Sequence, residues 1–202
     1  MPDIIDKIRL RKFTELNWCE PESVLKKLRY IEKTVLSEVK DESIRKLRTN
    51  RLKGWREARD AAIFAYGLGI HVLKLPVFVA KSEECDYDFV VKWEKEGAEL
   101  FCPVQLKELP PENLNRELTI DDIYKKLEKY SGEKDLAVAV KINRNMKFDF
   151  KAWTSDKKLA ISELWYFGNI SRDGSVWCLY GDVLNEPQYY EFRYPEAETE
   201  VA

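Results

Sequence analysis

Asp86-Tyr87-Asp88-Phe89-Val90-Val91-Lys92-Trp93, the charged turn Glu94-Lys95-Glu96-Gly97, and Leu100-Phe101-Cys102-Pro103-Val104-Gln105-Leu106-Lys107 make up the stretch whose reading decides the fold. Two apolar runs on either side of a charged, glycine-bearing loop read as a β-hairpin. With the loop centred between Glu96 and Gly97, antiparallel pairing sets Asp88 opposite Gln105 and Asp86 opposite Lys107. Side chains alternate along a strand, so all four project from one face. Two carboxylates, an amide oxygen and an ammonium on one patch suit a metal-dependent, phosphodiester-cleaving site.

Downstream, Leu109-Pro110-Pro111 breaks the second strand and Glu112 to Leu118 is a polar loop. Thr119 caps a helix over Asp121–Tyr130, with Ile123, Leu127 and Tyr130 on one face and Ser131-Gly132 as its stop. Leu136 to Ile142 is a continuous apolar run, as expected of a strand buried on both faces. Upstream, Val72 to Val79 is a β-prone run interrupted by Pro76, which marks an edge strand or a bend. Gly54 to Gly69 is small or apolar almost all round from Ala58 onward, the pattern of a buried helix, with glycines 67 and 69 ending it. Glu57 falls in its first turn, where the helix dipole favours an acid. Pro21 to Leu47 carries Val24, Leu28, Ile31, Val35 and Val39 at helical spacing, starts at Glu20-Pro21, and divides at Asp41-Glu42-Ser43.

With 202 residues, 45% hydrophobic and 12% aromatic, the chain suits one domain with a substantial core. A net charge of −2 excludes a basic field over the whole protein, so a polyanion site must be a local patch. Ile44 to Arg59 supplies one: seven cations, among them Arg48, Arg51, Lys53 and Arg56, stand against the single acid Glu57. Cys19, Cys85, Cys102 and Cys178 show no paired short spacing, which argues against zinc, and the lone His71 reads as structural. Charges recur from Asp3 through Lys12, unlike a secretory signal, and no apolar run is long enough to span a bilayer. A cytoplasmic protein with free thiols and no membrane association is expected.

The tail from Lys147 is aromatic: Phe148, Phe150, Trp153, Trp165, Tyr166, Phe167, Trp177, Tyr180, Tyr189, Tyr190, Phe192 and Tyr194, more in keeping with core than with a base-stacking surface. Asp173-Gly174, between Leu164–Ile170 and Val176–Leu179, signals a second hairpin. Asp182 to Glu200 holds six acids against Arg193 alone. That acidic segment either pairs with the basic one in a dimer or keeps the protein soluble. Together the elements predict an α/β fold bordering on α+β, with a mixed sheet and flanking helices.

Asp88 before a hydrophobic strand, followed by Gln105-Leu106-Lys107 on its hairpin neighbour, resembles the PD-(D/E)XK nuclease superfamily. Glu57 on a preceding helix, and the helix and buried strand that follow, stand in that superfamily's order; the resemblance covers about residues 54–142. It implies a restriction-endonuclease-like core over 54–146, an N-terminal helical extension over 1–53 and a β-rich aromatic extension over 147–202. Asp88, rather than Asp86, would be its acid, since it directly precedes the apolar run. Gln105 replaces the commoner second acid and Tyr87 replaces proline. The resemblance further implies Lys107, Asp88, Gln105 and Glu57 as catalytic residues. The side chains of Asp88, Gln105 and Glu57 and the Leu106 carbonyl would hold Mg²⁺ or Mn²⁺.

The residue types suit that chemistry. Mg²⁺ prefers oxygen ligands, usually one or two carboxylates with water and phosphate, and Lys107 supplies a compact charge for an attacking water or the transition state. The expected activity is Mg²⁺-dependent hydrolysis of DNA by a homodimer. The alternatives are an inactive nuclease-fold protein that binds nucleic acid or a protein partner, and a small interaction or immunity-type protein in which these charges form a solvated face.

Overall fold

The computed structural model describes residues 4–82, 87–130, 134–145 and 159–197. Asp86, Cys85, Ser131-Gly132, Phe148, Phe150 and Trp153 lie outside the described residues. Among the described residues, five α-helices (α1 Ile4–Thr14, α2 Pro21–Thr34, α3 Glu42–Arg45, α4 Lys53–Gly67, α5 Ile120–Leu127) accompany seven strands. The strands are β1 Val77–Lys81, β2 Phe89–Lys95, β3 Ala98–Leu109, β4 Ala137–Ile142, β5 Glu163–Asn169, β6 Val176–Gly181 and β7 Gln188–Arg193. They are hydrogen-bonded in chain order in a mixed sheet, and the fold is α/β, as the element pattern predicts. Among the described residues no helix is long and apolar enough to cross a membrane. Two compact units divide the chain, one of residues 1–82, 90–101 and 193–202, the other of residues 83–89 and 102–192.

In the first unit, α2 begins where the sequence sets it, with Glu20 extended and Pro21 at the first helical position. Its buried side is Pro21, Leu25 and Leu28; Val24 and Ile31 are only half-buried and Val35 is exposed. The helix ends at Thr34, and Asp41 caps the short α3, accepting from the Ser43 amide at 2.8 Å and the Ile44 amide at 3.4 Å. Helix α4 buries Asp60 to Ala65 and Gly67. Contrary to expectation the glycines do not stop it: the chain continues as π-helix through Leu73 and ends on Lys74, which adopts the left-handed conformation. Gly69 serves close packing instead, since a Cβ there would lie 2.8 Å from Val77 Cγ2. Val72 and Leu73 are therefore helical, and β1 starts only after Pro76. Cys19 pairs with Val79 through hydrogen bonds of 3.0 and 2.9 Å, laying the Trp18–Cys19 segment beside β1.

The hairpin closes at Glu96-Gly97, both with positive φ (54° and 77°), the two-residue turn whose twist matches paired strands. In the second unit β3 runs parallel to β4, and β4 parallel to β5. Parallel pairing needs a crossover, and α5 lies in the one from β3 to β4. Its start is a capping box: the Asp122 amide donates to Thr119 Oγ1 at 3.2 Å and the Thr119 amide to Asp122 Oδ2 at 2.8 Å. Ile120, Ile123, Tyr124 and Leu127 face inward, and Tyr124 and Tyr166 hydroxyls meet at 3.1 Å. Thr119→Ala should cost about 0.5–2 kcal/mol in urea unfolding; no change would mean that the cap does not hold this helix.

Strand β4 is buried from Ala137 to Lys141, as its apolar run predicts. Strands β5 and β6 pair antiparallel around Asp173-Gly174, where Asp173 accepts from the Ser175 amide at 3.1 Å. Glu163, at the start of β5, accepts from Trp165 Nε1 at 2.7 Å. Burial raises its pKa, and nearby Asp182 adds to the effect against the Trp165 hydrogen bond. A raised folded-state pKa favours the fold below the ordinary glutamate range and loses that contribution as pH rises through the raised value. Glu163→Gln should therefore match the wild type in acid and melt higher near neutrality, measured as Tm against pH; parallel curves would refute this.

Candidate functional site

Asp88 stands immediately before β2, and its amide donates to the Val104 carbonyl at 3.0 Å. A regular ladder from the Glu96-Gly97 turn would pair Asp88 with Gln105, so the pairing has slipped by one residue here, next to Pro103, which lacks an amide hydrogen. The side chain still reaches the expected neighbour. Asp88 Oδ2 accepts from the Leu106 amide at 2.7 Å and from Gln105 Nε2. Gln105 Nε2 also donates to the Leu106 carbonyl at 3.2 Å. Gln105 is buried and Lys107, two residues on, projects from the same strand face, half-buried.

The face carrying Gln105 and Lys107 is continued by Val138 and Val140 in β4 and by Leu164 and Tyr166 in β5. Helix α5 and the 3₁₀ turn that ends at Tyr130 cover it. Tyr130, also buried, donates its hydroxyl proton to Gln105 Oε1 at 2.8 Å, and Lys107 Nζ donates to the Tyr130 oxygen at 3.2 Å. Lys107 Nζ lies 5.5 Å from the centre of the same ring, and Lys129 Nζ 4.6 Å. A directed chain thus runs from cation to anion: Lys107 to Tyr130, Tyr130 to Gln105, Gln105 to Asp88. Sequence reasoning placed Tyr130 among the apolar contacts of its helix; nothing local marks its hydroxyl as a site group, because its partners come from a different element.

The structure therefore brings together Asp88, Gln105, the Leu106 backbone and Lys107. It turns Gln105 so that the amide nitrogen, not the oxygen, faces Asp88. The Asp88 carboxylate and the Leu106 carbonyl converge on that one nitrogen, and two oxygens sharing a point suit a hard cation such as Mg²⁺. Among the described residues no three His, Cys, Asp or Glu side chains group to hold a metal. A cation at Asp88 would complete its shell from amide and carbonyl oxygens, water and phosphate.

Glu57 lies on α4 of the first unit, in its second turn rather than its first, 3.4 Å from Lys53 in an ion pair. The basic segment is in the same unit and is less uniform than its composition suggests. Arg51 and Lys53 are exposed and Arg48 half-buried. Arg56 is half-buried and donates to the Leu47 carbonyl at 3.2 Å, bracing a buried leucine with positive φ. Arg59 faces inward onto Glu32 at 3.0 Å and Asp60 at 3.7 Å. Trp55 is 49% exposed beside these cations. Among the described residues, no disulfide joins Cys19, Cys102 or Cys178.

Compared with known proteins, the chain matches no family model, no curated protein and no solved structure.

Proposed function

We propose that the second unit carries a metal-dependent phosphodiester-hydrolysing site of the PD-(D/E)XK kind, acting on DNA. The observation that supports it is the convergence of the Asp88 carboxylate and the Leu106 carbonyl on one point, with the Lys107 ammonium on the same strand face. In this reading Asp88 Oδ2, the Leu106 carbonyl and, once its amide is turned, Gln105 Oε1 hold Mg²⁺ or Mn²⁺. Bound there, the ion would supply an acidified water and neutralise charge on the phosphate. Lys107 faces the phosphate, orienting the attacking water or stabilising the transition state. Arg48, Arg51 and Lys53 contact the backbone of the nucleic acid, and Trp55 offers a ring on which a base can stack. A cytoplasmic homodimer belongs to the same reading, and cysteines without a disulfide among the described residues suit a reducing compartment.

One observation favours a second reading, a nuclease-fold protein that binds nucleic acid or a protein partner without cleaving. The Gln105 amide group itself occupies the point where a ligated cation would sit. Supercoiled plasmid separates the two. Nicking that requires Mg²⁺ or Mn²⁺ and stops with chelator supports hydrolysis. Retention of intact plasmid at millimolar metal supports binding alone.

A further inference from the structure

We propose that Tyr130 is a positioning residue that holds Gln105 turned away from cation binding, and that drawing Lys107 toward phosphate opens this lock. The inference rests on the reading of Asp88, Gln105 and Leu106 as cation ligands.

An ammonium has protons to give and no lone pair, so the Tyr130 oxygen facing Lys107 Nζ at 3.2 Å must accept. The tyrosine has one proton, and it goes to Gln105 Oε1 at 2.8 Å. With its oxygen engaged, Gln105 presents its amide protons to the Asp88 carboxylate and the Leu106 carbonyl. Turning the amide over without a cation would set three oxygens against one another and leave the tyrosine proton without its acceptor, a costly arrangement for buried groups. With a cation among those oxygens the turned amide is satisfied. When a phosphate oxygen takes the ammonium, the tyrosine oxygen loses its donor, and the hydroxyl can rotate, its proton going to the phosphate or a water on the vacated side while its oxygen accepts from the Gln105 amide. Metal binding and phosphate binding are then coupled through Tyr130, a two-state element that both ligands bias.

Mn²⁺ titration calorimetry on the full chain tests this with the wild type and three variants. Tyr130→Phe removes the hydroxyl that holds Gln105 and is expected to bind Mn²⁺ about tenfold more tightly than the wild type, one neutral hydrogen bond's worth. Gln105→Glu has no amide to turn; it should also bind more tightly, and adding Tyr130→Phe to it should give no further gain. Equal affinity of Tyr130→Phe and wild type, with Gln105→Glu tighter, overturns the lock and leaves the metal site standing. Binding by none of them overturns the metal site, and the lock with it. If Tyr130→Phe does not fold, the wild-type Gln105 side-chain amide in a ¹H–¹⁵N spectrum decides: it should shift and exchange faster with solvent on Mg²⁺ saturation. An unmoved signal in metal-saturated protein overturns the proposal.

Discussion

Lys107→Ala should reduce Mg²⁺-dependent cleavage of plasmid DNA by at least about 100-fold while leaving the protein folded; removal of a single group that stabilises transition-state charge typically has that effect. The lysine lies on β3 on the same face as Gln105, and its Nζ is placed over Tyr130 and donates to the tyrosine oxygen. The truncation deletes the ammonium and keeps the strand, whose register with β4 is set by the backbone. Tyr130 retains its bond to Gln105, so the stability cost is that of one hydrogen bond, about 0.5–1.5 kcal/mol. Lys107→Arg keeps the charge but replaces a compact ammonium with a planar fork, and should recover only part of the activity. Unchanged cleavage by the alanine variant would sink the assignment; lost cleavage with a collapsed melting curve would not count for it.

The largest stability effect is expected at Glu32 in the first unit. Its carboxylate bonds Arg59 at 3.0 Å and lies 3.7 Å from Arg29; Arg59 Nε lies 3.7 Å from Asp60. Arg29 stands over the Tyr194 ring at 5.1 Å. The side chains of Arg59, Glu32 and Asp60 are 17%, 23% and 8% exposed, so two cations and two acids share a poorly solvated site. Burial disfavours the Arg59 charge, but Asp60 and Glu32 outweigh it and hold its pKa above the ordinary value. Burial, with Glu32 next, raises the Tyr194 hydroxyl. Removing one partner from such a network strands the others, which costs about 3–5 kcal/mol. Glu32→Ala should therefore lower Tm by more than about 6 °C. The Glu32→Ala/Arg59→Met pair should lose less than the two single changes added, because the second substitution removes the charge that the first left unpaired. A Glu32→Ala loss below about 1 kcal/mol would show the network to be effectively solvated.

Residues that act through their neighbours in the chain were legible. Glu96-Gly97 accepts positive φ and closes the hairpin there; Pro110 has no amide to give and β3 ends before it; Thr119 and Asp122 cap each other across one turn; the apolar run is buried from Leu136 to Lys141. Asp88 and Gln105 were brought together by pairing arithmetic and do meet, although the ladder slips by one residue. Periodicity could not tell which stripe of α2 is covered, and Val35, in phase with the apolar set, is exposed. Glycine read as a helix stop at 67 and 69 because it permits the left-handed backbone; packing of Gly69 against Val77 used its missing side chain instead.

Charge and orientation were decided by the tertiary structure alone. Arg56 and Arg59 belong by composition to a cationic surface, yet a buried carbonyl and two acids distant in sequence or turned inward take them out of it. The hairpin sequence from Asp88 to Lys107 determined that an acid and an amide would meet, with an ammonium on the amide's own strand face. Which way the amide turns was settled by Tyr130, from a 3₁₀ turn beyond the crossover helix. A glutamine offers a donor and an acceptor at nearly the same place, and only the partners that the fold delivers can choose between them.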